Sequence, residues 1–148
     1  MRVYLDNCMF NRPFDDQSYI RIRLEAEAKL YIQQQIRNGH LELVWSYLLD
    51  FENAQNPYQE RQQAISQWQC LAIVDIGENP TVLANAKLLL AKGIKPKDAL
   101  HVACAIEGKA NYFLSTDDKL LKKLQDHPLI SALNPMDYIK ELPNGKTH

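Results

Sequence analysis

Short strand-like apolar runs alternate with helix-like segments along this chain, and that alternation constrains its fold more than any other feature. The runs RVYLD, LELVW, LAIVDI, NYFLST and LISAL carry β-branched and aromatic residues. Between them lie stretches whose apolar residues recur at helical spacing. Strands separated by helices pair in parallel, and a parallel sheet buries both faces, so an α/β architecture with helices on both sides of the sheet is expected.

The helical segments carry their own punctuation. From Ser18 to about Arg37, residues Ile20, Leu24, Ala28, Tyr31 and Ile32 form one stripe, ended by Asn38-Gly39. Asp15 or Asp16 is placed to cap that helix, after a loop broken by Pro13. Ser46 caps a helix bearing Asp50 and Glu52, and a further helix runs from Gln59 to Gln69. LAIVDI reads as a buried strand, followed by a break at Gly77–Pro80 and a helix over Thr81–Ala91. Pro96 opens the next helix at its first turn, where a proline is tolerated. DDKLLKKL and PMDYIKEL are expected as the last two helices, with the pair Asp117/Asp118 free to cap the first of them.

Composition narrows the class. The 148 residues are 46% hydrophobic and 24% charged, as in a globular domain with a real core. No apolar run approaches the ~18 residues of a membrane span. Arg2, Asp6, Arg12, Asp15 and Asp16 interrupt the first segment, so it is not expected to be a signal peptide. Cys8, Cys70 and Cys104 are unclustered and in apolar surroundings, and read as reduced core thiols of a cytoplasmic protein. A net charge of −1 argues against a broad basic surface gripping nucleic acid through many phosphates, though not against a nuclease whose acidic pocket works with a cation. NGKT near the end of the chain has no glycine at P-loop spacing and no feeding strand. A phosphoacceptor domain is disfavoured because Asp75 lies inside LAIVDI and no lysine ends NYFLST.

Acidic residues mark the ends of the apolar segments: Asp6 in RVYLDN, Glu52 in SYLLDFEN, Asp98 in KPKDALHVA, and Asp117/Asp118 in YFLSTDDKLL. A carboxylate at the edge of a buried element costs free energy unless it is paired, hydrogen-bonded or metal-bound. Open parallel sheets bind ligands outside the carboxyl ends of their strands. If RVYLD and NYFLST are neighbours, Asp6 and the Asp117/Asp118 pair reach one crevice. Converged carboxylates repel until a hard cation, Mg²⁺ or Mn²⁺, joins them, and such ions can activate a water against a phosphodiester. No Cys, Ser or His setting offers a nucleophile instead. Asp50 competes with Glu52 for the crevice. His101, three residues after Asp98, reads as a satisfied buried histidine. Arg12, in the loop beside Asp6, is a candidate phosphate contact, Asn7 a turn residue able to orient Asp6, and Thr116 an orderer of its turn within reach of a substrate phosphate.

YLDN, SYLLDFE and KPKDALHVACAIEGKANYFLSTDDKLL, taken together, resemble a PIN domain of the VapC-like ribonuclease toxin type, from Arg2 to about Asp137. The resemblance implies a three-layer α/β/α sandwich around a mainly parallel sheet, in a single domain over residues 1–142 with a frayed tail at 143–148. It implies Mg²⁺- or Mn²⁺-dependent cleavage of RNA, an antitoxin protein as partner, and a homodimer. It places Asp6, Glu52, Asp98 and Asp118 as catalytic acids, with Asp117 the adjacent alternative, and metal on Asp6, Asp98 and Asp118 or Asp117. Ser46 matches the family's serine or threonine before the helix glutamate, and Thr116 its T-x-D pattern; with Arg12 and Asn7 they form the substrate-side set. Many members carry a further acid after that pattern, where this chain reads Lys119-Leu120-Leu121. A degenerate member that binds RNA or a protein without cutting is the alternative.

Overall fold

The computed structural model describes residues 1–10 and 20–141. The sites named for Arg12, Asp15 and Asp16, the start of the first helix at Ser18, and the tail 143–148 lie outside the described residues. Five strands, β1 (Arg2–Leu5), β2 (Glu42–Ser46), β3 (Val74–Ile76), β4 (Tyr112–Leu114) and β5 (Ser131–Leu133), form one all-parallel sheet in the order β3-β2-β1-β4-β5. The helices of the described residues are α1 (Ile20–Arg37), α2 (Tyr47–Ala54), α3 (Gln59–Ser66), α4 (Pro80–Ala91), α5 (Pro96–Glu107), α6 (Asp118–Lys123) and α7 (Pro135–Glu141), with 3₁₀ turns at Asn7–Phe10 and Gln67–Leu71.

Why the sheet is covered on both sides follows from β1. Successive strand side chains point to opposite faces, and Val3, Tyr4 and Leu5 are all 0% exposed. Tyr4 stacks on its register partner Phe113, and its hydroxyl meets His101, so its face is the one under α5. Helix α5 can lie close there because its inward residues are small: Ala99, Ala103, Cys104 and Ala105 are fully buried. The approach is tight at Gly108, which caps α5, where a Cβ would stand 2.5 Å from a Val44 methyl. Helix α4, with Val82, Ala86 and Leu89 buried, packs on α5, and α1 packs on α7.

Local chemistry sets the helix starts nearest the site. Pro80 and Pro96 occupy first-turn positions, Asn79 caps α4 by accepting from the Val82 N–H, and Ser46 caps α2 by accepting from the Leu49 N–H.

Three expectations are corrected. LAIVDI is not a buried strand. Only Val74–Ile76 pairs, at the sheet edge, with Asp75 exposed, Ile73 45% exposed, and Leu71 drawn into the preceding 3₁₀ turn. An edge strand has one neighbour and less to bury it. The helix expected to reach Gln69 stops at Ser66, where the chain passes into the 3₁₀ turn Gln67–Leu71. The cysteines are free, but only Cys104 is a core thiol: Cys8 is half-buried and Cys70 is exposed. No helix among the described residues is long and apolar enough to cross a membrane.

Candidate active site

The chain leaves β1 toward β2 and β3 on one side, and β4 lies on the other, so the topological switch falls between β1 and β4. Ligands of open parallel sheets bind in the crevice this leaves at the strands' carboxyl ends. Asp6 is the first residue past β1, and its N–H still bonds the Leu114 carbonyl at 3.0 Å. One carboxylate oxygen accepts from the Asn7 N–H at 2.8 Å, the other from the Ser115 hydroxyl at 2.8 Å. The same Ser115 oxygen accepts from the Asp117 N–H at 3.1 Å. Asp117 in turn caps α6, its Oδ1 accepting from Lys119 N–H at 3.1 Å and Leu120 N–H at 3.2 Å. Ser115, fully buried at the end of β4, therefore clamps the two acids in one frame.

The turn after Asp6 is fixed from behind by α1. The ammonium of Lys29 donates to the Cys8 carbonyl at 2.9 Å, and the Gln33 amide donates to the Met9 carbonyl at 2.8 Å. Thr116 donates to the Cys8 sulfur at 3.3 Å, tying the loops after β1 and β4 together. Burial, with Asp6 close by, pushes the Cys8 thiol up. The Asn7 side-chain oxygen is buried without a hydrogen-bond partner among the described residues.

Asp98 comes from the first turn of α5. Burial raises its carboxyl above the ordinary range, and the nearby charges of Asp6 and Asp117 raise it further. Its carboxylate has no hydrogen-bond or ion-pair partner among the described residues. A pocket of about 60 Å³ opens beside it, lined by Ile94, Lys95, Asp98, Asp117, Lys119, Leu120 and Lys123. Asp98 and Asp117 line this pocket, and Asp6 lies near enough for its charge to act on Asp98, a repulsion that His101 and Lys95 offset only in part. Among the described residues no three His, Cys, Asp or Glu side chains close into a ready-made metal cage. The donor set nevertheless fits a hard divalent ion: all oxygen, net negative, and able to supply the one or two carboxylates that Mg²⁺ takes while keeping its waters.

The remaining acids face elsewhere. Asp118 is 64% exposed in its side chain and pairs with Arg21 of α1 at 2.7 Å, which holds its carboxyl below the usual range. Asp50 is exposed and accepts from the Trp45 indole N–H at 2.9 Å. Glu52 is engaged by α5: Oε1 lies 2.6 Å from His101 Nε2 and Oε2 lies 3.2 Å from the Lys97 ammonium. Burial raises its carboxyl, but His101 and Lys97 outweigh that, so it sits below the usual range. Behind Glu52 a buried string continues. His101 Nδ1 is 2.6 Å from the Tyr4 hydroxyl, which is 2.6 Å from Ser46 Oγ. Ser46 is thereby an interior residue, 0% exposed and out of a substrate's reach.

Sequence reasoning missed Ser115, Tyr4 and Lys97. Tyr4 sits in a strand where alternation marks it as core. Ser115 precedes the more conspicuous Thr116-Asp117-Asp118, and a serine ending a buried strand was its only signal.

The PIN domain family profile matches residues 3–126. This chain belongs to the PIN domain family. PIN domains are generally nucleases. Solved structures with this PIN fold include FitAcB from Neisseria gonorrhoeae, at 12% identity and TM-score 0.60, covering 90% of this chain and 97% of that one. VapBC2 from Rickettsia felis, bound to a DNA fragment from its promoter, aligns at 16% identity and TM-score 0.57, covering 90% and 98%. VapBC-1 from nontypeable Haemophilus influenzae aligns at 18% identity and TM-score 0.56, covering 91% and 98%. At these identities the likeness is one of fold. No curated protein shows a significant match to the sequence.

Proposed function

We propose that this PIN domain is a divalent-metal-dependent endoribonuclease, with Mg²⁺ or Mn²⁺ held by Asp6, Asp98 and Asp117. The observation that carries the reading is Asp98: a part-buried carboxylate without a partner among the described residues, its carboxyl raised by burial and by Asp6 and Asp117. Such a group, in a crevice at a topological switch point, is a site waiting for positive charge. A bound ion supplies an activated water and neutralises charge at the leaving oxygen of a phosphodiester. The residues of the chain do the rest. Ser115 fixes Asp6 and Asp117 relative to each other, and α1 immobilises the turn between them and the core. Lys95, Lys119 and Lys123 line the pocket beside the acids, offering cations to flanking phosphates. Thr116, Asn7 and Arg12 belong to the substrate side of this proposal.

The fold shared with the FitAcB and VapBC structures supports a toxin with a small antitoxin protein as its partner. The test is cleavage of a mixed RNA pool by the purified chain with Mg²⁺, with Mn²⁺ and with EDTA, beside D6N, D98N and D117N. Cutting that requires metal and disappears in all three variants is expected. Metal binding without cutting by folded wild type would favour the non-catalytic reading, in which the domain binds RNA or a protein. Growth arrest on expression, relieved by the product of an adjacent small gene, tests the toxin assignment.

A further inference from the structure

The buried string behind Glu52 carries an inference about how this site is divided, resting on the cation reading above. An ionised Glu52 carries no proton and can only accept, so His101 donates to it through Nε2–H. The Tyr4 O–H then donates to His101 Nδ1, and the Ser46 O–H to the Tyr4 oxygen, while Ser46 also accepts from the Leu49 N–H at 3.4 Å. Every donor in this sequence has an acceptor, and its members are almost wholly enclosed: Tyr4 and Ser46 are 0% and His101 1% exposed. Drawing Glu52 away to a cation would strand the Nε2–H of a buried imidazole. Among the described residues Nε2 hydrogen-bonds Glu52 alone.

Lys97 and His101 are one turn apart on α5, and so lie on the same face of it. Glu52 grips both, one with each oxygen. Asp98, the unpartnered acid, stands in the turn between them. We infer that Glu52 is a positioning residue, not a metal ligand: it staples the first turn of α5 through Lys97 and His101 and so holds Asp98 in place, while the cation is carried by Asp6, Asp98 and Asp117.

Two measurements on the full chain test this without depending on RNA cleavage. The first is Mn²⁺ affinity, from the spin-resonance signal of free Mn²⁺, for wild type and for E52Q, E52A and D98N. Glutamine keeps a carbonyl oxygen for His101 but surrenders the charge a ligand needs. E52Q is therefore expected within about threefold of wild type, whereas E52A, which removes the staple, loses about tenfold, the scale of an outer-shell deletion. D98N loses at least as much. The second is the His101 Nε2–H resonance of ¹⁵N-histidine-labelled protein, assigned by its absence in H101Q, followed through a Mg²⁺ titration. It is expected to persist, little shifted, at saturation. An E52Q loss equal to that of D98N, or disappearance of the resonance as Mg²⁺ binds, would overturn the inference and leave the cation reading standing. E52A binding like wild type would remove the positioning role. Wild type that binds no Mn²⁺ would remove the cation reading itself, and this inference with it.

Discussion

Replacing Tyr4 by phenylalanine isolates the energy of the buried string. The ring keeps its place, because it is held by stacking on Phe113 at 5.6 Å between centroids and an interplanar angle of 11°. No cavity larger than an oxygen opens. What is lost is the hydroxyl that donates to His101 Nδ1 and accepts from Ser46, each at 2.6 Å. Two neutral hydrogen bonds contribute about 1 kcal/mol apiece, and the Nδ1 lone pair left inside adds a desolvation penalty of about 1–2 kcal/mol. Ser46 is partly spared, since its oxygen keeps the Leu49 N–H. The expected loss is about 2–4 kcal/mol, or a Tm lower by roughly 5–12 °C for a chain of this size. Urea unfolding measures it, with an unchanged m-value showing that the compactness of both states is preserved. A cycle with Ser46→Ala and the double variant should give a coupling of at least ~0.5 kcal/mol. A Tyr4→Phe loss below ~0.5 kcal/mol, or strict additivity with Ser46→Ala, would refute the claim that the string is an energetically connected unit.

Other outcomes follow from the acids and from one close contact. Burial, Asp6 and Asp117 raise the Asp98 carboxyl above its ordinary 3.8. A raised acid favours folding only while protonated, so ionised Asp98 destabilises the metal-free protein at neutral pH. Asp98→Asn should therefore unfold at higher urea than wild type at pH 7 in EDTA, with the advantage vanishing below about pH 4, and should gain nothing from added metal. Glu52 has the opposite sign: its carboxyl is lowered from 4.5, so its contribution is present at neutral pH and is lost as pH falls through its folded value. Glu52→Gln should accordingly be less stable than wild type at pH 7, the difference closing in acid. Asp117→Asn keeps a competent N-cap and should change stability by less than ~0.5 kcal/mol while weakening Mn²⁺ binding; Asp118→Asn, whose side chain pairs on the surface with Arg21, should change neither. Gly108→Ala drives a methyl to 2.5 Å from the Val44 side chain and should cost about 1–3 kcal/mol in urea unfolding, by overpacking α5 against β2.

What could be read from the sequence was periodic or terminal. The alternation of strand and helix patterns foretold a parallel sheet because each element announced its own period. The runs that deceived were those whose surroundings mattered. LAIVDI is as apolar as a central strand, but its sheet position, at an edge with Asp75 facing out, depends on partners no local pattern encodes. Asp117 and Asp118 look interchangeable as caps. Their separation comes from the backbone: Asp117 takes the extended N-cap conformation and remains in the crevice, so Asp118 becomes the first helical residue, turned toward Arg21. His101 was readable as a buried, satisfied histidine, but its partners Tyr4 and Glu52 lie 97 and 49 residues away in sequence.

The division between acids and string has a geometric root in two elements running side by side. Tyr4 and Asp6 are two residues apart, hence on the same face of β1's path and separated by about 6.5 Å along it. Asp98 and His101 are three residues apart on α5, about 4.5 Å along its axis and on neighbouring positions of its surface. Helix α5 begins at the crevice and runs back along the strand, so the first residue of its pair meets the mouth and the second meets the interior. Asp98 therefore faces Asp6 where a cation and water can enter, and His101 faces Tyr4 where they cannot. One helix carries both contacts, so a displacement of α5 moves both. That is why an interior hydrogen bond at Tyr4 should register in the metal affinity of a carboxylate it does not touch.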